Sequence, residues 1–524
     1  MFQKSFHLKT LRREQEYTIY SLVYKAEKFR VCSLSSYKLL ISILILGITT
    51  KHTWLTPLQA DDLPGFLYYS NAEPNVFISA LSRSKAVFIS FIDGSYGHFI
   101  PVGAFAENFL YGLMYQGYRI GFPSYFVYGL LFFFLNIALL RTISHLLSTI
   151  MSESNKRHIA GSDLYIPVSI GYLISMQCSG VWSNWDPTSS HPIYGILISL
   201  IGFKYLSFVI PVAQLERTSV YALRAVLVSI IGILTYEPFI TFVLAAIPIC
   251  FYLNQVSTPD RRRLKFAIVF SAPSVAIFTF GRIWSFLNLD TGYEGNKFGY
   301  TINPMVSLFN FTKSNMPTGT WTKSSVLTGN LHVTDYFIVF IGLSVVAASI
   351  FASRYFFGLR NNGNGLLERS LNLRIGFAWS FFILILLSPT IHLLTPSWSE
   401  WFNQPGSTYM PSITVFWCWS SIIAVLIYKI LILKSQLLFA STILLILFLS
   451  FFQMRFNSIV TEFEVNSPNP YGVDVLRALE SVSYMTSTSR CTSLEVLSSK
   501  IGDGFIEQLN EEFNKRHNLQ FCSD

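Results

Sequence analysis

Residues 39 to 65 read LLISILILGITTKHTWLTPLQADDLPG, an apolar run followed by a polar stretch with two adjacent aspartates. The run from 39 to 56 approaches the roughly 20 apolar residues that a helix needs to cross a bilayer, so we expect a first membrane span here. Residues 1 to 38 carry eight Lys or Arg against three Glu, and positive charge beside a span favours the cytoplasmic side. Asp61 and Asp62 would then lie outside, at the membrane surface. A cleaved signal peptide is the alternative, but this basic tail is too long for one.

The composition is that of a membrane protein. The chain is 51% hydrophobic and only 13% of its residues are charged, against about 25% in typical soluble domains. Long apolar runs recur as far as residue 452. We therefore predict an all-α, polytopic transmembrane helical bundle that covers 39 to 452. The net charge of +9 does not indicate nucleic-acid binding, because the basic residues lie in the tail and in short loops, where they set topology.

Ten further apolar runs continue the bundle. The run 222 to 253 is broken by Tyr236-Glu237-Pro238, so it is either one kinked helix or a short hairpin. With the N-terminus inside and the C-terminus outside, the number of crossings is odd. It is 11 if that run crosses once, and 13 if the run is split and one more crossing exists. The further spans are predicted at 101 to 117, 124 to 150, 164 to 178, 193 to 212, 222 to 253, 266 to 284, 335 to 357, 375 to 394, 412 to 433 and 435 to 452.

The basic stretch Asp260-Arg-Arg-Arg-Leu-Lys265 is predicted to be cytoplasmic, which gives outer loops at 57 to 100, 285 to 332 and 395 to 411. Within the first loop, residues 76 to 92 mix apolar side chains with Arg83 and Lys85, a pattern typical of one or two helices that lie in the membrane interface rather than cross it.

Residues 453 to 524 have more acidic than basic residues and no run long enough to cross a membrane. We predict that they form a small extracytoplasmic C-terminal segment. Cys491 and Cys522 lie within it, and an oxidising compartment would allow them to pair. The sequence alone leaves their pairing open.

The acidic pair is the candidate chemical group of the first outer loop. A carboxylate at the membrane surface can deprotonate a hydroxyl or hold a divalent cation. Adjacent residues of an extended loop point to different sides, so one of Asp61 and Asp62 would act and the other would support it. We favour Asp61, which is nearer the first span. A solvated turn is the alternative interpretation. The candidates for binding an anionic leaving group are His98, Arg282 and Lys85.

Glu237 lies within an apolar run, where an unpaired carboxylate is costly to bury. We therefore predict that it faces a polar site rather than lipid. A structural hydrogen bond to a neighbouring helix is the alternative. Asp186 and His191 could bind a sugar or a metal, but Asp-Pro and His-Pro also form ordinary turns, which we favour.

These features resemble the GT-C superfamily of membrane glycosyltransferases, and in layout its bacterial O-antigen glucosyltransferase branch. A cytoplasmic N-terminus, one span and an outer loop with an acidic pair carry the resemblance. Gly97-His98-Phe99-Ile100-Pro101 is similar to the Gly-Arg-aromatic-x-Pro pattern that often opens the second span, with histidine where arginine is more usual. Tyr236-Glu237 resembles the Tyr-Glu or Tyr-Gln of a middle helix. The large outer loop after Arg282, and Tyr409 before a late span, also fit.

The resemblance implies an inverting glycosyltransferase that moves a sugar from a polyprenyl-phosphate-linked donor. The acceptor would be a glycan, lipid or protein on the extracytoplasmic face of the cytoplasmic membrane. A divalent cation is a candidate cofactor, and membrane lipids surround the protein. The candidate catalytic residues are Asp61 and Asp62, and the candidate substrate-binding residues are His98, Glu237, Arg282, Lys85 and Tyr409.

Two alternative functions are open at this point. A polysaccharide polymerase or ligase that uses a lipid-linked oligosaccharide usually carries arginines in a large late outer loop, whereas 395 to 411 is short and has none. A transporter or flippase predicts inverted repeats, or ionisable residues in the middle of several spans. Only Glu237 is clearly placed in that way by the sequence.

Overall fold

The computed structural model describes residues 35–51, 62–69, 75–155, 159–177, 192–213, 218–256, 261–288, 303–317, 371–389, 392, 410–432, 436–466, 475, 478–479, 481–501 and 503–522. Helix dominates these residues and no strand occurs among them, so the predicted all-α class is confirmed. The predictions on residues 1 to 34, Asp61, Asp186, His191, the span at 335 to 357 and Tyr409 lie outside the described residues.

We number the longer helices in chain order. They are α1 (Ser35–Thr49), α2 (Asp62–Tyr68), α3 (Val76–Ile92), α4 (Pro101–Arg119), α5 (Ser124–Asn155), α6 (Tyr165–Ser175), α7 (Pro192–Ala213), α8 (Thr218–Thr235), α9 (Ile240–Val256), α10 (Arg261–Asn288), α11 (Pro304–Asn315), α12 (Leu371–Leu387), α13 (Met410–Ile432), α14 (Gln436–Asn466), α15 (Ser487–Ile501) and α16 (Asp503–His517).

Apolar helices account for most of the predicted spans. In the described part of the chain, five helices are long and apolar enough to cross a membrane, and these are α5, α7, α10, α13 and α14. Shorter apolar helices form α1, α6, α8, α9 and most of α12. Every predicted span that falls on described residues therefore contains an apolar helix, with the exception of 101 to 117.

The predicted span at 101 to 117 is not supported by the composition of its helix. A helix forms there as α4, but it is not among the helices that are apolar enough to cross a membrane. The hydroxyls of Tyr115 and Tyr118 instead bond the C-terminal segment. α4 packs along α2 and α3 of the first predicted outer loop, and also against α5 and α8.

The run 222 to 253 is two helices rather than one kinked helix. Along α8, the hydroxyl of Ser229 lies 3.5 Å from the carbonyl oxygen of Phe270, and just beyond its end Glu237 contacts Arg282. α8 therefore runs parallel to α10. Past the turn, the ring of Phe239 lies against Gly232 of α8, where an added Cβ would come within 2.4 Å of it, and α9 packs against α10 as α8 does. The run is thus two helices that meet at the Glu237–Phe239 turn, and this reversal is the hairpin of the two sequence alternatives.

The core pairs α6 with α13 in opposite directions. Tyr172 stacks on Trp417 with ring centroids 4.0 Å apart, and the hydroxyl of Ser420 donates to the carbonyl of Val168. Since residue numbers fall on one helix as they rise on the other, α13 begins where α6 ends. Gly171 faces the backbone of Ser420 with no room for a larger residue, so the two helices are closely packed.

Polar contacts connect the helix ends at each side of the bundle. At one side, Lys38 Nζ and Asp163 Oδ1 form a buried ion pair at 2.8 Å, next to the start of α6. At the other side, α7 and α13 begin together, because Ser199 Oγ lies 2.8 Å from Thr414 Oγ1. The α8–α9 turn lies on this second side, which we call the Glu237 end.

The C-terminal segment has helices of its own. α15 and α16 pack on each other and on a small buried core that includes Leu509, Phe513 and Phe521. Cys491 and Cys522 form a disulfide with their Cα atoms 5.0 Å apart. The pairing that the sequence left open is therefore present.

Candidate functional site

Three side chains from distant parts of the chain meet at the Glu237 end. His98 Nδ1 lies 3.1 Å from Glu237 Oε2, and Nη2 of Arg282 donates to the same oxygen. His98 and Arg282 stand 139 and 45 positions from Glu237 in the sequence. The Glu237 side chain is only 6% exposed, whereas those of His98 and Arg282 keep 18% and 16% exposure. The carboxylate is thus enclosed, and its two partners remain partly accessible.

Glu237 reaches this position because α8 ends immediately before it. Tyr236 is extended, with φ −165° and ψ 137°, and Glu237 and Pro238 begin a short 3₁₀ turn that leads into α9. Pro238 disfavours continuation of α8 as a regular helix, because it lacks the N–H donor and its ring clashes with the preceding turn of a helix. The break therefore exposes the carboxylate to α10 and to the loop before α4 instead of placing it on a regular helix face.

The loop before α4 holds His98 against α10. The hydroxyl and the backbone N–H of Ser95 donate to Asp93 Oδ1, which lowers the pKa of the Asp93 carboxyl below its ordinary value. Gly94 has φ +80°, and a Cβ there would lie 2.2 Å from the carbonyl oxygen of Asn288. The hydroxyl of Ser285 donates to the carbonyl of Gly97 at 3.2 Å. Since these contacts join the loop to the last turns of α10, they place His98 beside Arg282.

A second set of polar groups adjoins the first. Tyr236 Oη lies 2.7 Å from His392 Nε2, and the hydroxyl of Tyr194 donates to Glu107 Oε2 at 2.7 Å. The rings of Tyr194 and Tyr236 are 5.4 Å apart, and those of His98 and Tyr236 are 6.5 Å apart. We call the whole group the Glu237 cluster. Its members are His98, Glu107, Tyr194, Tyr236, Glu237, Arg282 and His392.

The structure brings together three of the seven residues that the sequence singled out, namely His98, Glu237 and Arg282. Glu237 lies against these two polar partners rather than against lipid-facing side chains, as expected. Lys85 is exposed on α3, and none of the contacts that join the cluster involves it. Asp61 and Tyr409 lie outside the described residues.

Asp62 is not in an extended loop. It is the first residue of α2, and Leu63 and Pro64 follow it within the helix, so the prediction that Asp62 lies in an extended loop is wrong. Proline is tolerated in the first turn of a helix, where its missing N–H would have no partner. The argument from alternating side-chain directions therefore does not apply from Asp62 onward.

Sequence reasoning missed Glu107, Tyr194 and His392 as members of the site. A signal was present for Glu107, because a carboxylate inside a predicted span is a functional candidate by default. His392 lies at the end of the predicted span 375 to 394, and Tyr194 near the beginning of 193 to 212. Nothing local distinguishes these two residues from ordinary interfacial side chains.

Gly103 gives a first test of how α4 holds Glu107 in the cluster. It lies one helical turn before Glu107, and a Cβ there would lie 2.0 Å from the carbonyl oxygen of Thr235 and 2.5 Å from the Tyr194 ring. Gly103→Ala should therefore force α4 away from α8 and destabilise the protein by about 1–3 kcal/mol, as overpacking does. A thermal melt of the purified protein measures this.

Gly47→Ala is the matched control. A Cβ at that position would lie 3.9 Å from the nearest atom, which belongs to the Phe133 ring, so it fits without a clash. That variant should melt at or slightly above the parent temperature, since alanine favours helix. Equal melting temperatures for Gly103→Ala and the parent would contradict the close packing of α4 on α8.

The partly accessible Arg282 and His98 side chains are suited to binding an anion. Within the described ranges, no group of three or more His, Cys, Asp or Glu could hold a metal. Asp61 is not described, so the divalent cation stays a prediction. An anion would meet Arg282 and His98 on their accessible sides, because Glu237 is already enclosed between them. Guanidinium groups bind phosphate and carboxylate through paired N–H donors.

No family model, no curated protein and no solved structure matches this chain. The apolar helices indicate a membrane-embedded all-α bundle, and the polar cluster at one end of it is the candidate site.

Proposed function

We propose that this protein is a membrane glycosyltransferase that moves a sugar from a polyprenyl-phosphate-linked donor to a glycan, lipid or protein acceptor. The observation that carries the proposal is the meeting of His98, Glu237 and Arg282 at one end of an apolar helical bundle. A lipid phosphate needs an apolar environment for its chain and cationic donors for its head. The Glu237 end combines these two properties.

Glu237 supports the proposed phosphate site through its contact with Arg282. A buried carboxylate fixes the direction of the guanidinium, which has five N–H donors and uses only some of them on Glu237. The remaining donors can bind a phosphate. The imidazole of His98 can add a further hydrogen bond to the same phosphate. The orientation is therefore set before the substrate binds, which is what effective charge stabilisation requires.

The proposed reaction is a displacement at the anomeric carbon. The bond between that carbon and the phosphate oxygen breaks, and the acceptor hydroxyl oxygen forms the new bond. A general base takes the hydroxyl proton, and the polyprenyl phosphate leaves with the bonding electrons. Arg282 and His98 would stabilise the charge on the leaving group, and Asp61 or Asp62 would be the base. Inversion is expected from the resemblance to the GT-C superfamily.

The helix directions support an orientation with the Glu237 end outside. Removing the crossing at 101 to 117 and splitting 222 to 253 leaves 11 crossings, when the predicted span at 335 to 357 is included. This odd number agrees with a cytoplasmic N-terminus and an outer C-terminus. The same order puts Asp260 to Lys265 inside, as the positive-inside rule requires. A disulfide in the C-terminal segment also fits an oxidising outer compartment.

Labelling of residue 120 tests this topology. Ile120 follows α4 and is 75% exposed. If α4 stays outside, Ile120→Cys should react with a membrane-impermeant maleimide in intact cells. Cys178, at the end of the predicted span 164 to 178, is replaced by serine in the same variant so that it does not react. If 101 to 117 crossed the membrane, position 120 would lie inside and would be labelled only after permeabilisation. Cys32 in the N-terminal tail is the internal control, and it should be labelled only in permeabilised cells.

Binding of polyprenyl phosphate tests the function without knowledge of the sugar. The protein is reconstituted in nanodiscs, and polyprenyl phosphate is added and detected by native mass spectrometry. The parent should retain it, and the double variant Glu237→Gln with Arg282→Met should not. Radiolabelled polyprenyl-phosphate hexoses then test for release of the lipid phosphate in the presence of acceptor membranes. Equal binding by the parent and the double variant would overturn the proposed site.

A further inference from the structure

The C-terminal segment is connected through α4 to the helix that begins at Asp62. Phe66 of α2 is fully buried, and its ring lies edge-on to Tyr115 and Tyr118 of α4, with centroids 5.5 Å away in each case. The hydroxyl of Tyr115 donates to Glu512 Oε2 at 2.8 Å, and that of Tyr118 donates to the carbonyl of Leu479 at 3.2 Å. The two tyrosines on which α2 rests are thus both held by the C-terminal segment.

Further contacts from residues of the C-terminal segment strengthen its connection to α4. The Arg516 guanidinium lies 4.1 Å from the centroid of the Tyr118 ring, within the range of a cation–π interaction. His517 Nε2 is 2.7 Å from the carbonyl oxygen of Leu479, the same atom that Tyr118 bonds. α16 therefore holds the ring, and the chain near Leu479 holds the hydroxyl. Moving the segment would change both contacts.

The segment keeps its shape through a buried arginine and the disulfide beside it. Arg490 is 6% exposed, and it donates to the carbonyl of Phe521 at 2.7 Å and to that of Met485 at 2.8 Å. Cys491 and Cys522 are the next residues in the chain after Arg490 and Phe521, and they are bonded to each other. The disulfide and the arginine thus hold the same two parts of the chain together.

We propose that the disulfide-closed C-terminal segment is a positioning element for the first outer loop. It holds α4 and, through Phe66, fixes α2 and the backbone of Asp62. Reduction of the disulfide by a dithiol consumes two electrons and two protons and gives two thiols. The constraint between Arg490 and Phe521 is then weakened, and α2 loosens with it. The effect on sugar transfer rests on the proposed function, whereas the effect on α2 does not.

Hydrogen exchange of the full-length protein in nanodiscs tests the coupling. In the variant Cys491→Ser with Cys522→Ser, amide protection should fall in α15, α16, the last turns of α4 and α2. In α2 the expected fall is roughly tenfold, which corresponds to about 1.4 kcal/mol of local stability. α6 and α13 should be unchanged. Dithiothreitol should have the same effect on the parent and no further effect on the variant, which controls for other actions of the reductant.

Three results would overturn the proposal. α15 and α16 could lose protection while α2 keeps it, which would show that the segment does not position α2. The segment could keep its protection without the disulfide, which would show that the bond does not hold it. All helices could loosen together, α6 and α13 included, which would show a general loss of stability.

A conservative pair of variants tests the contact itself. Glu512→Gln keeps an oxygen that can accept from Tyr115, so α2 should keep nearly the protection of the parent. Glu512→Leu removes the acceptor and should reproduce the loosening of α2 with the disulfide intact. Equal protection of α2 in both variants would contradict the proposed route.

Binding of polyprenyl phosphate separates this inference from the proposed function. If the proposal holds, the Cys491→Ser with Cys522→Ser variant should bind the lipid as the parent does, because the described hydrogen bonds that hold the Glu237 cluster are made among its own members. Its turnover should fall. A parent that bound no polyprenyl phosphate would count against the proposed function, while the exchange results would still decide the role of the segment. Weaker lipid binding by the variant would contradict a role confined to α2.

Discussion

Transfer by an Arg282→Met variant should fall by about two to three orders of magnitude, the usual effect of removing one group that stabilises developing charge. The protein should also become less stable. Arg282 bonds the enclosed carboxylate of Glu237, and removing one partner of a buried ion pair leaves the other charge uncompensated, at a cost of about 3–5 kcal/mol. His98 remains as a partner, so we expect the lower part of that range. Thermal melts and lipid-phosphate release measure the two effects separately.

The double variant Glu237→Gln with Arg282→Met decides whether Arg282 has a chemical role. With both charges removed, no buried charge is left uncompensated. The double variant should therefore regain most of the stability that Arg282→Met loses. Transfer should stay low, because the guanidinium that would bind the phosphate is missing. If the double variant regained the parent rate, Arg282 would serve only to compensate Glu237. Glu237→Gln alone keeps the shape of the side chain and an oxygen that can accept from Arg282, whose guanidinium is partly exposed, so this variant should fold with a smaller loss of stability than Arg282→Met.

Arg224→Met is the matched control. Arg224 lies on α8 and is exposed, with its guanidinium 6.0 Å from the ring centroid of Phe208. The same chemical change there should leave the transfer rate within about twofold of the parent, because surface substitutions usually shift stability by less than ~0.5 kcal/mol. A loss of activity similar to that of Arg282→Met would indicate a general effect of removing positive charge.

One of the variants Asp61→Asn and Asp62→Asn should lose activity by a factor of about a hundred or more, the range expected for removal of a general base. The other should lose much less. Asparagine keeps the volume and removes the charge, so a change in rate reports on the carboxylate. We favour Asp61 as the base, because it is nearer to α1 and so to a phosphate held at the membrane. The rate of lipid-phosphate release measures this.

Glu511→Gln is the control for loss of one negative charge on the same side. Glu511 forms an exposed pair with Lys515 at 2.9 Å, and such surface pairs contribute little. Its rate should equal that of the parent. If both asparagine variants also transferred sugar at the parent rate, the acidic pair would have no catalytic role. Glu107 would then be the next carboxylate to test, because it lies in the Glu237 cluster.

Much of the architecture could be predicted from local sequence. Apolar runs such as 124 to 150 and 193 to 212 form long helices, because an apolar segment in a bilayer must satisfy its backbone hydrogen bonds internally. Glu237 and Pro238 also predicted a break in the helix within 222 to 253. The choice between a kink and a hairpin was not local, since it depends on how α8 and α9 pack along α10.

The sequence by itself determined the all-α class, the position of most apolar helices and the need of Glu237 for a polar partner. These follow from hydrophobicity and charge summed along short stretches of chain. Only the tertiary structure decided that the partners are His98 and Arg282, that α4 packs against the C-terminal segment, and that Cys491 bonds Cys522. The physical reason is that each of these contacts joins segments at least 31 positions apart. Their pairing depends on the packing of the whole bundle, which no local pattern encodes.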